Sequence, residues 1–173
     1  MIAVVNSGGA NISSVNFALK RLEAEVTFTN DPNVISNAQK VILPGVGSAA
    51  TAMKRLKEFE LIECIRNLSQ PVLGICLGMQ ILFEHSQEAD TDLLGVVPGK
   101  LKRFNESNCG IIPHMGWNKV QIIERNKLLN KIPQNSYFYF VHSFFMGESE
   151  NTLGISNYGE NFSAVISFNN FFG

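Results

Sequence analysis

The sequence is poor in charge and cysteine and has no long apolar run, and each shortage excludes a class of protein. Charged residues make up 17 % of its 173 residues, with 14 basic against 15 acidic side chains. No basic patch or stripe stands out, so a nucleic-acid partner is not expected. The longest apolar stretch, Pro71 to Met79, is far shorter than the roughly 20 residues that cross a bilayer. The N-terminus has no charged region of the signal-peptide kind, so no membrane association is predicted.

The cysteines are too few and too scattered for a disulfide framework or a Cys-based zinc site. Cys64, Cys76 and Cys109 form an odd set without a C-x-x-C pair, and H-E-x-x-H is absent. No metal and no cofactor are therefore expected, and a reducing, cytoplasmic location is predicted. Hydrophobic residues make up 45 %, enough for a real core, and the length predicts one domain over residues 1–173.

The first half of the chain alternates apolar runs with helical patterns. Runs typical of buried strands lie at 2–5, 26–29, 41–43 and 72–75. Helical spacing follows at 12–22, 61–68 and 76–83, and another helix is predicted to begin after Ser48. Asn11 and Ser48 are predicted helix caps. This alternation predicts a mostly parallel α/β sheet with helices on both faces. Ligands bind beyond the carboxyl ends of such strands, where Ser7–Asn11, Pro44–Gly47 and Cys76 lie.

The second half predicts added antiparallel strands. Strand-like runs at 119–123, 137–141 and 164–168 have no long helices between them. At the end of the sequence, Asn169 and Asn170 predict a tight turn into a returning strand. We expect Phe171 and Phe172 to begin that strand with nothing after them, as in a domain that stops within a hairpin.

Gly74–Gly78 has the form G-x-C-x-G at a strand-to-helix junction, which predicts a nucleophile elbow around Cys76. Glycines two positions before and after the cysteine allow strand and helix to pass closely. Backbone N–H groups at the helix start are expected to lower the thiol pKa. The alternative is a buried structural cysteine, since free cysteine is often buried. That interpretation is favoured for Cys64, on a helical pattern, and Cys109 is expected to be a loop thiol.

The glycines of Pro44–Gly47 suggest an oxyanion loop beside the elbow. Glycine permits the backbone conformations that aim an N–H group at a substrate oxygen. An ordinary strand-ending turn explains the same residues, and the sequence leaves both interpretations open.

Four segments of the chain resemble class I glutamine amidotransferases. Residues 71–80, PVLGICLGMQ, resemble the nucleophile segment of that class. Three more, LPGVGS at 43–48, PHMGWN at 113–118 and YFVHSF at 139–144, resemble the glutaminase subunits of imidazole glycerol phosphate synthase, which serve histidine biosynthesis. The resemblance covers nearly the whole chain and implies a flavodoxin-like α/β fold.

The resemblance implies hydrolysis of glutamine to glutamate and ammonia through a thioester on the nucleophile Cys76. It places the oxyanion-hole donors at the backbone of Gly47 and Leu77. The residues that it implies for binding glutamine are Gly45, Gln80, Tyr139 and Ser143.

A partner is implied as well. In the family, ammonia passes through a channel to a (β/α)8-barrel synthase subunit, bound as a heterodimer, which makes imidazole glycerol phosphate. Asn11, Trp117 and Asn118 fall where the family faces that subunit. The first loop, Asn6–Asn11, departs from the family's usual Asp-Tyr-Gly-x-Gly-Asn, which puts the contacts of this loop in doubt.

The general base of the family is not found in this sequence. The family uses a histidine oriented by a glutamate in a His-Pro-Glu motif, which is absent here. His85 is expected at the surface, His114 is expected to be structural or at the interface, and His142 is the one histidine considered as a substitute base. Residues 1–173 are therefore expected to hydrolyse glutamine poorly. The alternatives are a short form that binds the synthase subunit without hydrolysis, or another cysteine hydrolase of the same fold.

Overall fold

Parallel strands and helices alternate through the first half of the molecule, as the sequence predicts. The structure, a computed structural model, describes residues 1–6 and 12–173. The predicted glycine loop Ser7–Asn11, with the helix cap and the partner contact expected at Asn11, lies outside the described residues. The first elements are β1 (Ile2–Val5), α1 (Ile12–Arg21), β2 (Val26–Thr29), α2 (Pro32–Ser36), β3 (Lys40–Gly45), α3 (Ala49–Glu58), α4 (Leu61–Arg66), β4 (Val72–Cys76) and α5 (Leu77–Gln80).

The second half is built from strands, again as expected. One short helix, α6 (Glu106–Cys109), interrupts them, and a 3₁₀ turn covers Glu88–Asp90. The strands are β5 (His85–Ser86), β6 (Thr91–Asp92), β7 (Lys100–Arg103), β8 (His114–Ile122), β9 (Ser136–His142), β10 (Phe144–Phe145), β11 (Thr152–Tyr158), β12 (Glu160–Phe168) and β13 (Phe171–Phe172). Strand β11 is a finding that the sequence patterns did not predict.

The strands of the described residues form a nine-stranded and a four-stranded sheet. The large sheet has the order β2-β1-β3-β4-β13-β12-β11-β8-β9, and the small one has the order β10-β7-β5-β6. Strands β2, β1, β3, β4 and β13 are mutually parallel, and the pairs from β13 to β9 are antiparallel. The expected class, a mixed α/β sheet with antiparallel additions, is confirmed.

Local capping explains where two of the helices begin. Ser48 caps α3 as predicted, because its side chain accepts a hydrogen bond from the Thr51 N–H. Asp31 caps the unpredicted helix α2 through the Asn33 N–H, and Pro32 occupies the first helical position, where its missing N–H costs nothing.

Helix α5 is shorter than the helical spacing of Met79, Leu82 and Phe83 predicts. It ends at Gln80, and the next carbonyl groups bond elsewhere: the Leu82 carbonyl accepts from both the Val96 and Val97 N–H groups. Leu82 and Phe83 remain fully buried in the main core under the parallel strands. Tertiary hydrogen bonds therefore replace the helical ones that would have extended α5.

The final hairpin forms as predicted, with Asn169 in the left-handed region at φ 52°. The two phenylalanines form the short returning strand that the turn predicts. Strand β13 lies between β12 and β4, with Phe171 opposite Phe168 on one side and Val72 on the other. The sheet thus gives this two-residue strand partners on both edges.

No helix of the described residues is long and apolar enough to cross a membrane.

Candidate active site

The predicted elbow is present at the end of β4. Cys76 has φ 55° and ψ −116°, a conformation that non-glycine residues rarely adopt, and α5 begins at the next residue. Such a backbone costs on the order of 1–3 kcal/mol and persists only where the surroundings impose it. At this turn the surroundings are the packed crossing of β3, β4 and α5.

Glycine is required at this crossing for lack of space, as expected from the G-x-C-x-G spacing. A Cβ atom on Gly78 would overlap the carbonyl oxygen of Leu43 in β3, and one on Gly74 would lie 2.6 Å from the Gly78 carbonyl oxygen. Gly45 has the same constraint, with the Gly78 nitrogen 2.7 Å from its virtual Cβ. The close approach of three backbones therefore fixes the position of Cys76.

The Cys76 thiol differs from the other two cysteines in its surroundings. Cys76 is exposed as a whole residue and lines a cavity, although other protein atoms pack closely around its sulfur. Cys64 donates to the Pro32 carbonyl at 3.6 Å, and Cys109 donates to the Asn105 carbonyl at 3.1 Å. Local hydrogen bonds thus occupy those two thiols, whereas Cys76 faces a space that a ligand can enter.

The pKa of the Cys76 thiol differs from what the helix start predicts. Burial of the sulfur by the surrounding protein raises the pKa of the Cys76 thiol, and the backbone N–H of Leu77 acts in the opposite direction. The predicted lowering of the pKa is therefore wrong for the net effect. The reason is physical: α5 has four residues, and its N–H groups do not offset the desolvation of the thiolate by an apolar cavity.

The cavity beside Cys76 has a volume of about 390 Å³, within the usual range for small-molecule sites. Gln80 and Tyr139, both predicted to bind glutamine, line it together with Cys76 and His142. Most of the other residues that line it are apolar, among them Val120, Leu129, Ile132, Phe140, Phe162 and Val165. The lining is therefore largely apolar, with a few polar side chains that include Gln80, Tyr139 and His142.

Two of the predicted binding residues have other contacts in this structure. The Tyr139 ring packs edge-on against Trp117, with the ring centroids 5.6 Å apart. Ser143 follows β9, and its carbonyl accepts a hydrogen bond from the Phe104 N–H at 3.0 Å. Ser143 is not among the described residues that line the cavity.

The oxyanion loop lies next to the elbow, as the parallel pairing of β3 and β4 requires. Gly45 is directly opposite Cys76, and Gly47 has φ 95°, which only glycine adopts readily. Gly45, Gly47 and Leu77 line a second cavity of about 230 Å³. The residues expected to supply the oxyanion donors therefore line this second cavity, whereas Cys76 lines the first.

Glu88 contacts the start of helix α3 next to this loop, a contact that sequence patterns did not indicate. Its Oε2 accepts a hydrogen bond of 2.6 Å from the Ala49 N–H. Glu88 is distant from Ala49 along the chain, so no local spacing could have predicted it. The carboxylate lies at a helix N-terminus, where a negative charge is stabilising.

Each of the three histidines has partners other than Cys76. His85 lies between Asp90 and Asp92, at 3.2 and 3.1 Å. His114 Nδ1 and His142 Nε2 are 3.0 Å apart, and His142 Nδ1 is 3.0 Å from the Phe144 carbonyl oxygen. His142 lines the Cys76 cavity as expected. Both of its ring nitrogens are nonetheless engaged, which argues against a role as general base.

The outer face of the β8–β9 pair is an exposed apolar surface, here called the Trp117 face. It consists of alternate residues on two paired strands, namely Met115, Trp117, Tyr137, Tyr139 and Val141. Trp117 is 69 % exposed, a large unburied area for a tryptophan. Exposed contiguous apolar surfaces of this kind mark interaction sites. Asn118, predicted at the interface, points inward and bonds to the Asn157 carbonyl at 2.8 Å.

A cysteine on a strand-to-helix elbow beside a glycine loop is the arrangement that the fold presents, and comparisons with known proteins show which family shares it. Residues 3–173 match the glutamine amidotransferase class-I family. The imidazole glycerol phosphate synthase subunit HisH of Haemophilus influenzae is 49 % identical over 172 residues, covering 99 % of this chain and 86 % of the relative. The HisH subunit of Vibrio cholerae is 45 % identical and is covered to 87 %. The chain belongs to the class I glutamine amidotransferase family and, within it, to the HisH subunits.

Solved structures show the same fold at lower sequence identity. A glutamine amidotransferase crystal structure superposes with a TM-score of 0.75 at 16 % identity, covering 99 % of this chain and 87 % of the other. A glutamine amidotransferase from Thermotoga maritima gives 0.71 at 19 % identity, covering 99 % of this chain and 73 % of its own. The resemblance inferred from the sequence motifs and the expected fold class are thus confirmed.

Proposed function

We propose that this chain is the glutaminase component of an imidazole glycerol phosphate synthase and acts on glutamine through Cys76. The observation that carries the proposal is the elbow itself. The backbone of Cys76 has a positive φ of 55°, and its thiol lies beside the Leu77 N–H, with Gly45 opposite it on the paired strand. These are the parts that an acyl-transfer site requires: a nucleophile and backbone donors for the oxyanion.

The proposed reaction has two steps. The Cys76 sulfur attacks the side-chain amide carbon of glutamine, forming a C–S bond while the developing oxyanion is stabilised by the N–H groups of Leu77 and Gly47. The C–N bond then breaks and ammonia leaves. Water attacks the thioester, releasing glutamate and the free thiol. Gln80 and Tyr139 line the cavity beside Cys76 and are proposed to contact the substrate, together with Gly45 and Ser143.

Proton transfer is the weak part of the site within residues 1–173. The attacking thiol must lose a proton and the leaving amine must gain one, a role usually given to histidine. His85 is held by two aspartates, and His114 and His142 are bonded to each other. We therefore expect these residues alone to release glutamate at no more than a residual rate.

The Trp117 face is proposed as the docking surface for the synthase subunit, which we expect to be a (β/α)8 barrel that receives the ammonia. Its aromatic composition suits an interface, because Trp and Tyr are enriched among residues that dominate binding. The three free cysteines fit a reducing compartment, and we propose the cytoplasm.

A second function rests on the same surface. Because the histidines are engaged and the Trp117 face is open, a protein that binds the synthase subunit without hydrolysing glutamine remains an alternative proposal. Another cysteine hydrolase of this fold is the third, and a lack of glutamine recognition would favour it.

Protection of Cys76 from alkylation by iodoacetamide tests the proposal and needs no general base. Glutamine should slow the alkylation of Cys76 while leaving Cys64 in the same molecule unaffected. Asparagine, one methylene shorter, serves as the matched ligand control and should protect poorly. Equal protection by both amino acids, or none by glutamine, would contradict a glutamine site at Cys76.

A further inference from the structure

A series of hydrogen bonds leads from strand β8 to the cavity beside Cys76. Asn118 Nδ2 lies 3.3 Å from His114 Nε2, and His114 Nδ1 lies 3.0 Å from His142 Nε2. His142 Nδ1 lies 3.0 Å from the Phe144 carbonyl oxygen, which also accepts a bond of 2.8 Å from Gln80 Nε2. Four side chains on three elements are thus joined end to end at one carbonyl group.

The Phe144 carbonyl group fixes the donor and the acceptor of every hydrogen bond in this series. A carbonyl oxygen can only accept, so His142 carries its proton on Nδ1. In neutral His142, Nε2 is then an acceptor, and His114 must donate from Nδ1. His114 Nε2 is left as an acceptor, which matches the amide donor of Asn118. One tautomer of each histidine therefore satisfies all the contacts.

Packing holds both rings in these positions. His114 is 4 % exposed and stacks on Tyr158, with the centroids 4.2 Å apart and the planes 21° from parallel. His142 packs against Phe104 and Phe162, at 5.2 and 4.9 Å between centroids. Burial lowers the pKa of His114 to about 4 and also lowers that of His142. Both rings are consequently neutral near pH 7, as the bonding pattern requires.

We propose that His142, oriented by His114 and Asn118, is a positioning residue of the glutamine pocket, because its N–H fixes the Phe144 carbonyl that holds the Gln80 side chain beside Cys76. Gln80 has a side-chain amide that can rotate, and this carbonyl determines which way its nitrogen points. The effect on glutamine binding rests on the function proposed above, whereas the effect on Gln80 does not.

Nuclear magnetic resonance of the ¹⁵N-histidine-labelled chain without ligand tests the geometry directly. We expect a coupling across the hydrogen bond between His114 Nδ1 and His142 Nε2, and the Nδ1–H tautomer at both rings. An Nε2–H tautomer at His142, or the absence of that coupling, would overturn the proposal.

Paired variants test the consequence. His142→Asn keeps an N–H donor close to the position of Nδ1, whereas His142→Leu removes it. We expect His142→Leu to shift the Gln80 side-chain amide signals and to weaken glutamine binding about fivefold to tenfold, the range of one hydrogen bond. His142→Asn should stay within about twofold of the unmodified chain because that bond is kept. If the leucine variant does not fold, the asparagine variant and the coupling still decide the question.

A double substitution separates positioning from a general structural effect. If His142 acts through Gln80, then Gln80→Ala combined with His142→Leu should bind glutamine no more weakly than Gln80→Ala alone. Additive losses would overturn the proposal. If the unmodified chain binds no glutamine, the proposed function fails, and the Gln80 amide signals alone then decide whether His142 positions that side chain.

Discussion

The Cys76 elbow and the β8–β9 pair are both close to the same cavity, yet they are built by different means. At the elbow, backbone segments pack directly against each other, and glycine is required where neighbouring backbone atoms leave no room for a side chain. On the inner face of β8–β9, side chains determine the geometry: two histidines are held between aromatic rings and bonded to each other. Backbone packing therefore fixes the position of Cys76, whereas side-chain packing and strand pairing fix the residues around it.

Gly78→Ala should strongly destabilise the protein at the crossing of β3, β4 and α5. Its Cβ would overlap the Leu43 carbonyl, which is backbone and cannot move aside. We expect a loss of about 4 kcal/mol or more in the free energy of unfolding, measured by urea denaturation.

Gly147→Ala is the matched control, since no atom lies within 4 Å of its virtual Cβ. It should change stability by no more than about 0.5 kcal/mol. Similar urea midpoints for the two variants would refute the packing account of the elbow.

Low pH should reduce the free energy of unfolding through the His114–His142 pair on the inner face of β8 and β9. The pKa of His114 is lowered from 6.5 to about 4 by burial, so between these values the unfolded chain binds a proton that the folded chain does not. Stability from this group is complete above pH 6.5, falls as the pH drops towards about 4, and then levels off. The pKa of His142 is lowered as well, so this residue acts in the same direction.

Urea denaturation at a series of pH values measures this loss. The His114→Asn variant keeps a donor towards His142 but has no titrating ring at position 114. Its stability should therefore fall less between pH 6.5 and 4 than that of the unmodified chain. Parallel curves for the two proteins would show that His114 is not the group responsible.

The outer face of the same strands is expected to bind the synthase subunit. Trp117→Ala should weaken binding by about 2 kcal/mol, or roughly thirtyfold, because an exposed tryptophan at the centre of an interface is typically a hot spot. Leu22→Ala provides a control, since Leu22 is 74 % exposed and lies just before β2, at the far edge of the large sheet. Equal effects of the two substitutions in a titration would place the interface elsewhere.

The smallest expected effect concerns the thiol itself. Burial raises the pKa of Cys76, so its thiolate fraction at pH 7 should be lower than that of a free cysteine peptide. The rate of iodoacetamide alkylation is measured by mass spectrometry at a series of pH values. The midpoint of the resulting curve should lie at a higher pH for Cys76 than for the cysteine of the peptide. A midpoint below that of the peptide would indicate that the Leu77 N–H outweighs burial.

The same contrast explains what the sequence could predict. The G-x-C-x-G motif of the elbow, the Ser48 cap and the Asn169 turn each lie within a few residues of sequence, and all three were predicted. Strand β11 was missed because register shifts near Gly154 disturb the alternation that reveals a strand. The His114–His142 contact could not be predicted, since it depends on the register of β8 against β9.

The central claim, that Cys76 is a nucleophile specific for glutamine, is tested most directly with a chloroketone analogue of glutamine. The reagent is applied to the chain in complex with the synthase subunit, and the modified peptide is identified by mass spectrometry. The account predicts one adduct, on Cys76, that excess glutamine prevents, that Cys76→Ala abolishes and that Cys64→Ala leaves intact. An adduct on Cys64 or Cys109 at a comparable rate, or labelling of Cys76 that glutamine does not slow, would contradict it.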